Sequence, residues 1–164
     1  MKRRNFIKFT TIGAILFSTN ITVARTIPQK TLLILDEIFN IIFPKTTTMP
    51  SAKEFKALEY LIKNISHKTF ENEDKVLILD GTKDFNKSFS EFLTLNQNKK
   101  KELIFEIIKT STYAKSWVSK LTYYGIEAML SDPIYGGNFN QIAWNSVKHP
   151  IGIPRPLKTY GQKI

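Results

Sequence analysis

The sequence predicts an all-α fold, a single domain built as a bundle of about five helices with an irregular, Gly/Pro-rich C-terminal tail. Two observations support this prediction. From residue 26 to residue 130, apolar side chains recur every three or four positions, whereas no two stretches alternate as paired strands do. In addition, 42% of the 164 residues are hydrophobic, which is enough for one packed core.

The first predicted helix follows Thr26-Ile27-Pro28, where proline suits the first turn. Residues 32–43 are apolar except for a narrow strip through Asp36, Glu37 and Asn40. A helix with so little polar surface is expected to be buried on most sides, at the centre of the bundle. Pro44 ends it.

Two capping boxes and a glycine organise the next three predicted helices. Ser51 with Glu54, and Thr94 with Gln97, each have the spacing at which a hydroxyl and an acid or amide cap a helix start. Between them, a helix beginning near Val76 is expected to kink or break at Gly81. In the helix after Gln97, the side chains expected to face inward are Leu103, Ile104, Ile107 and Ile108.

The last long helix carries an aromatic row at helical spacing, which is more typical of a packed core than of a ligand site. Beside this row, Gly125 is a position at which another helix could approach closely. The row consists of Tyr113, Trp117, Leu121, Tyr124 and Ala128.

Charge and composition limit the possible functions. The chain has 24 basic and 14 acidic residues, and 20 basic residues remain when positions 1–24 are left out. This balance fits an acidic partner, an anionic membrane surface or simple solubility. Nucleic-acid binding is disfavoured, because the densest basic run, Lys99-Lys100-Lys101, belongs to the solvated face of a predicted helix.

The residues that usually hold cofactors are scarce. The chain has no cysteine, which excludes disulfides, thiolate metal sites, iron–sulfur clusters and covalent haem attachment. Its two histidines, His67 and His149, are far apart and are interpreted as ordinary surface or packing residues. We therefore expect no catalytic residue, no metal site and no bound cofactor in this chain.

The first 24 residues read as a signal peptide: a basic start, a short apolar middle and a small-residue end, with cleavage expected after Ala24. The apolar stretch is too short and too polar for a comfortable membrane span. The residues that resemble a twin-arginine export motif are Arg3, Arg4, Phe6, Ile7 and Lys8. A general secretory signal and an uncleaved anchor are the alternatives. The domain proper is then residues 25–164.

The least generic stretch is Ser131–Asn138, after the last long helix. Asp132 and Pro133 stop the helix, and Gly136-Gly137 allows backbone conformations closed to other residues. Residues 138–145 are interpreted as a possible short helix that packs back. The glycine pair is also compatible with anion binding, but no strand–helix frame supports that reading.

The motif Asp132-Pro133-Ile134-Tyr135-Gly136-Gly137-Asn138, followed by Trp144, resembles the gluconate 2-dehydrogenase subunit 3 family. These proteins are small subunits of membrane-associated flavin dehydrogenases that oxidise sugars and sugar acids. The family's Gly-Phe-Pro-Gly-like ending is only approximated here, by residues 149–152.

The resemblance implies a non-catalytic periplasmic subunit. An FAD-containing large subunit would oxidise the substrate, and a haem c subunit would pass electrons toward the respiratory chain. This chain would aid export, folding and stability of the flavoprotein, and would reach the inner membrane only through its partners. The residues expected to form the partner interface are Asp132, Pro133, Tyr135, Gly136, Gly137, Asn138 and Trp144.

Three alternatives remain open at this point. The loop could simply close the bundle, without touching a partner. The chain could be a stand-alone periplasmic binding or interaction module. An enzyme using carboxylates alone is disfavoured, because Asp36 and Glu37 lie on the polar strip of an apolar helix and Asp132 precedes a proline that favours a turn.

Overall fold

The computed structural model describes residues 27–159. Arg3, Arg4, Phe6, Ile7 and Lys8, together with the rest of the predicted signal peptide and its cleavage site, lie outside the described residues. Within residues 27–159 the chain forms no strand and has six α-helices: α1 (Gln29–Ile42), α2 (Ala57–Ile65), α3 (Asn72–Ser88), α4 (Gln97–Thr110), α5 (Thr112–Leu130) and α6 (Ile142–Ser146).

The all-α prediction is confirmed, and the helix number is six instead of five. The additional helix, α6, is a short one that follows the loop after α5. Three short 3₁₀ turns also interrupt the connections, at Phe92–Thr94, Pro133–Tyr135 and Phe139–Gln141. Among residues 27–159, no helix combines the length and the apolar character that crossing a membrane requires.

Two helices share the centre of the bundle. Helix α1 contacts α2, α3, α4 and α5. Helix α5 contacts α1, α2, α3, α4 and α6. The prediction that α1 is central therefore holds, but α1 is less enclosed than its composition indicates, since Leu33 is 49% exposed. The largest fully buried side chains are Trp117, Phe39, Phe55, Phe85 and Phe92.

Helix α3 runs unbroken through Gly81, so the predicted break does not occur. The glycine serves packing: a Cβ atom at position 81 would lie 2.6 Å from Cδ1 of Trp117. The indole of Trp117 also packs on the ring of Phe85 at a centroid distance of 5.3 Å. The absent side chain thus makes room for the largest side chain of the core.

The capping box at Ser51 forms, but it caps an isolated turn. The backbone N–H of Ser51 donates to Glu54 Oε2 (2.8 Å), and the N–H of Glu54 donates to Ser51 Oγ (3.3 Å). A hydrogen bond from Lys45, followed by those from Ser51, lowers the pKa of Glu54 to about 2. The turn ends at Lys56, whose left-handed φ of 61° and the bond from Ala57 N–H to Ala52 O (2.9 Å) make a Schellman motif. Helix α2 therefore begins at Ala57 instead of directly after Ser51.

The predicted capping box at Thr94 and Gln97 is wrong. The Thr94 hydroxyl donates instead to the carbonyl oxygen of Glu91 (2.8 Å), inside the 3₁₀ turn that precedes α4. Asn96 is the cap, and its Oδ1 accepts from the backbone N–H of Lys99 (2.9 Å). A hydroxyl committed to its own turn cannot cap the following helix, so the next polar side chain takes that role.

Lys100 is buried, which corrects the prediction that all three lysines of this run lie on a solvated face. Its Nζ forms a salt bridge with Glu37 Oε2 at 2.8 Å, and this salt bridge connects α4 to α1. Burial opposes ionisation of Glu37, but hydrogen bonds from Lys100 and Gln97 outweigh burial and lower its pKa. A buried ammonium requires such a partner, because an unpaired charge in the interior is costly.

Candidate partner-binding site

The chain reverses direction at the C-terminal end of α5, and residues 131–146 fold back onto the bundle as what we call the closing segment. Asp132 starts the reversal: its Oδ1 accepts from the backbone N–H of Ile134 (3.1 Å) and caps the 3₁₀ turn Pro133–Tyr135. Gly136 ends this turn at φ 103°, a left-handed conformation that glycine adopts without a Cβ penalty.

Gly137 allows the closest approach in the segment. An added Cβ atom would collide with the backbone of Ala128, near the end of α5. The two glycines therefore have different physical roles, one in a left-handed turn and the other in a backbone-to-backbone contact. Neither role requires a bound anion.

Asn138 connects the two ends of the closing segment. It is fully buried, with φ 44°. Its Nδ2 donates to the carbonyl oxygen of Ser131 (3.2 Å), and its Oδ1 accepts from the backbone N–H of Ala143 in α6 (2.9 Å). Asparagine suits this position because it tolerates left-handed backbone angles and offers both a donor and an acceptor.

Trp144 attaches α6 to the end of α5. Its Nε1 donates to the carbonyl oxygen of Leu130 (2.9 Å), one of the α5 carbonyls that has no partner within the helix. The residue is 9% exposed, so its indole is essentially part of the folded domain.

Helix α2 holds the other side of the closing segment. Lys63 Nζ donates to the carbonyl oxygen of Ile134 (2.7 Å), and Asn64 Nδ2 donates to that of Tyr135 (3.2 Å). Asn64 is buried and also bonds Tyr60 O (2.7 Å). Sequence reasoning missed Asn64, although a signal existed: it is a polar residue on the face of α2 that buries Leu61 and Ile65.

A bidentate ion pair joins the closing segment to the residues that follow it. Arg155 donates twice to Asp132, from Nε to Oδ2 and from Nη2 to Oδ1, both at 2.9 Å. Hydrogen bonds from Arg155 lower the pKa of Asp132, and the carboxylate in turn raises the pKa of Arg155. Sequence reasoning missed Arg155, although Asp132 is the last acidic residue before a basic C-terminal stretch.

The structure brings the seven predicted interface residues together but divides them by exposure. Four are buried within the domain: Asp132, Gly137, Asn138 and Trp144. The other three are partly exposed: Pro133, Tyr135 and Gly136. Contact of any of these residues with a partner stays a prediction, and the buried four are placed to shape the surface from within.

The described part of the chain holds no group of three or more His, Asp or Glu side chains arranged for a metal ion. His67 Nδ1 is 2.9 Å from Thr69 Oγ1 in the turn after α2, and His149 lies beside Trp144 with ring centroids 6.0 Å apart. The chemistry available at the closing segment is hydrogen bonding, ion pairing and apolar contact, which are the means of recognising another surface.

Comparison with known proteins gives one match. The profile of a protein family described as gluconate 2-dehydrogenase subunit 3 matches residues 29–150, from the first residue of α1 to a point just beyond α6. No curated protein and no solved structure matches the chain. The match includes the motif that carries the resemblance, Asp132–Asn138 and Trp144.

Proposed function

Because the chain belongs to the gluconate 2-dehydrogenase subunit 3 family, we propose that it is the non-catalytic small subunit of a periplasmic, FAD-dependent gluconate 2-dehydrogenase-like complex. The family match over residues 29–150 is the observation that carries this proposal. In it, the substrate is oxidised on a large subunit that binds FAD, and electrons pass to a cytochrome subunit with haem c.

The role of this chain in the proposed complex is to escort and stabilise the flavoprotein. Arg3 and Arg4 support a shared export route, since twin-arginine export carries proteins that have already folded. A flavoprotein without a signal of its own would then cross the membrane bound to this chain. The complex, once exported, is associated with the inner membrane through its partner subunits.

The closing segment supports a docking role because its backbone is held from several directions. Asn138, Trp144 and Lys63 each bond a carbonyl oxygen of this segment or of the adjoining end of α5. Rigid elements bind with a smaller loss of conformational entropy than flexible ones do. Around them, partly exposed Tyr135 and the ring of Phe139, which is 46% exposed, offer apolar area to a partner.

The decisive experiment is purification of a tagged copy of the full chain from the periplasm of its native cells. We expect a flavin-containing polypeptide to co-purify in a constant ratio, with dehydrogenase activity toward a sugar or sugar acid and an artificial electron acceptor. Recovery of the chain without any flavin would contradict the proposal and would favour a stand-alone interaction module.

The export role has a separate test. Replacing Arg3 and Arg4 by lysine should leave the flavoprotein, and its dehydrogenase activity, in the cytoplasm. The matched control replaces Lys2 alone by arginine, which keeps all five motif residues and the charge. Normal periplasmic activity in the Arg3→Lys/Arg4→Lys strain would contradict shared export.

A further inference from the structure

The residues after α6 form an unusual surface, which we call the tail segment (residues 147–158). Every residue from 145 to 158 is exposed, and the tail segment contains no helix or strand. Yet four of its residues are apolar, and Ile153 and Leu157 are each 92% exposed. Two large aliphatic side chains held in water gain nothing from the hydrophobic effect in this state of the protein.

The tail segment is nevertheless attached to the domain. Arg155 lies midway between Ile153 and Leu157 in sequence, and it makes the double hydrogen bond to the buried carboxylate of Asp132. Bidentate pairing of this kind fixes the direction of the guanidinium as well as its position. The ion pair therefore holds the two exposed aliphatic side chains close to the closing segment.

Proline fixes the local shape of the same stretch. Pro150, Pro154 and Pro156 restrict their own φ angles and bias the preceding residues toward extended conformations. The stretch is bent at Ile153 and Pro154. Its restricted φ angles reduce the conformational entropy that it would lose on binding.

Charge indicates what kind of groove would accept this strand. From Pro133 to Ile164 the sequence has no acidic residue, whereas it has four basic ones, Lys148, Arg155, Lys158 and Lys163. Asp132 is the one acidic residue beside these four basic ones, so residues 132–164 have a formal net charge of +3. Such a strand is complementary to a groove with apolar pockets and an acidic rim.

We propose that the tail segment, although it forms no β-strand, is the docking strand of this subunit, meaning the stretch of chain that inserts into the partner. Ile153 and Leu157 insert into apolar pockets on the FAD-containing subunit, and the Asp132–Arg155 ion pair positions them. This inference rests on the proposed function, because it takes the partner to be that subunit. It assigns Asp132 the role of a positioning residue instead of a direct contact. The motif at residues 132–138 then forms the surface of the domain to which the docking strand is attached.

The test measures the affinity of the full exported chain for the purified FAD-containing subunit by titration calorimetry. The double variant Ile153→Asp/Leu157→Asp should raise the Kd at least about tenfold, because buried apolar anchors dominate binding energy at interfaces. The matched control is Leu33→Asp/Phe105→Asp, which alters two exposed apolar residues on α1 and α4 and should leave the Kd unchanged. Thermal unfolding of each variant checks that the bundle is intact.

A second variant tests the positioning role. Arg155→Ala keeps both aliphatic anchors but releases them, so the Kd should rise about fivefold through the entropy of ordering a free strand. Arg155→Lys retains the charge without the bidentate geometry and should fall between the wild type and Arg155→Ala. An Arg155→Ala chain that binds as tightly as the wild type would overturn the positioning role.

The outcomes separate this inference from the proposed function. If the wild-type chain does not bind the flavin-containing subunit, both fail. If the wild type binds and Ile153→Asp/Leu157→Asp binds equally well, the docking strand is refuted and the subunit role stands. Vesicles of phosphatidylglycerol provide the remaining arm: loss of vesicle binding in the double variant, with unchanged affinity for the protein, would assign the strand to a lipid surface and overturn the inference.

Discussion

The closing segment and the tail segment follow one another in the chain, and they are stabilised in opposite ways. In residues 131–146, side chains such as Asn138 and Trp144 are buried and bond the backbone of the domain itself. In residues 147–158, all side chains are exposed, and Arg155 supplies a bidentate link back to the domain. Both stretches contain glycine, but only one of them needs glycine for packing.

Under the docking proposal above, the distinctive sequence motif and the binding surface are different residues. The Asp-Pro-x-Tyr-Gly-Gly-Asn motif is distinctive because each of several residues meets a strict backbone or hydrogen-bond requirement. A docking surface has looser requirements, since apolar area and charge can be supplied by many residue types. Sequence reasoning therefore finds the first kind of region more easily than the second.

The largest expected difference in the free energy of unfolding is between two glycine-to-alanine substitutions, one in the closing segment and one in the tail segment. Gly137→Ala places a Cβ atom against the backbone of Ala128, which cannot rotate away, so the free energy of unfolding should fall by about 3 kcal/mol. Urea unfolding followed by circular dichroism measures this change.

Gly152→Ala is the matched control in the tail segment, where an added Cβ atom meets nothing within 4 Å. Its free energy of unfolding should stay within about 0.5 kcal/mol of the wild type. Equal effects of the two substitutions would show that the closing segment is not packed on α5 as described.

A smaller loss is expected from Asn138→Ala. This substitution leaves the Ser131 carbonyl and the Ala143 N–H without their partners and places alanine at φ 44°, so the free energy of unfolding should fall by about 2 kcal/mol. Asn145→Ala, on the exposed side of α6, is the control and should be nearly neutral. A neutral Asn138→Ala would mean that the segment is held by apolar contacts alone.

The smallest expected effect is local: in acid, the tail segment should detach from the domain while the bundle stays folded. The pKa of Asp132 is lower in the folded chain than in the unfolded chain, so the ion pair contributes in full above the ordinary carboxyl pKa of about 4 and is lost as the pH falls through the lowered value. Because the chain has no cysteine, a fluorophore on Leu157→Cys labels this single position, and release of the tail segment should decrease its anisotropy.

The control for that measurement is the same labelled chain with Asp132→Asn. Its anisotropy should be low and independent of pH between neutral pH and pH 2, because an amide cannot pair with the guanidinium as a charge. High anisotropy in this variant at neutral pH would contradict the ion pair as the anchor of the tail segment.

Helical periodicity was sufficient to predict most of the bundle. Most apolar residues predicted to face inward in α4 and α5 are buried, because they recur at a regular spacing, whereas Ile108 and Tyr113 are partly exposed. The errors arose where a competing local hydrogen bond decides the outcome. Thr94 bonds its own turn and leaves Asn96 as the cap, and Lys56 interrupts the helix that Ser51 begins.

Long-range pairs were the other limit of prediction. Lys100 can be buried because Glu37 lies opposite it across the α1–α4 contact. A local sequence pattern does not predict a partner that is so distant in sequence. The same holds for Asn64 and Tyr135, and for Arg155 and Asp132. The site motif was recognised from sequence, whereas the inward direction of Asn138 and Trp144 depends on how α6 packs against α5.

The positions of the two tryptophans make the two parts of the domain optically distinguishable. Trp117 is fully enclosed in the core against Phe85, while Trp144 lies at the rim, beside His149. In a Trp117→Phe chain the remaining emission would follow the closing segment, and in a Trp144→Phe chain it would follow the bundle. Intrinsic fluorescence can therefore show whether the rim opens before the core does, without any attached label.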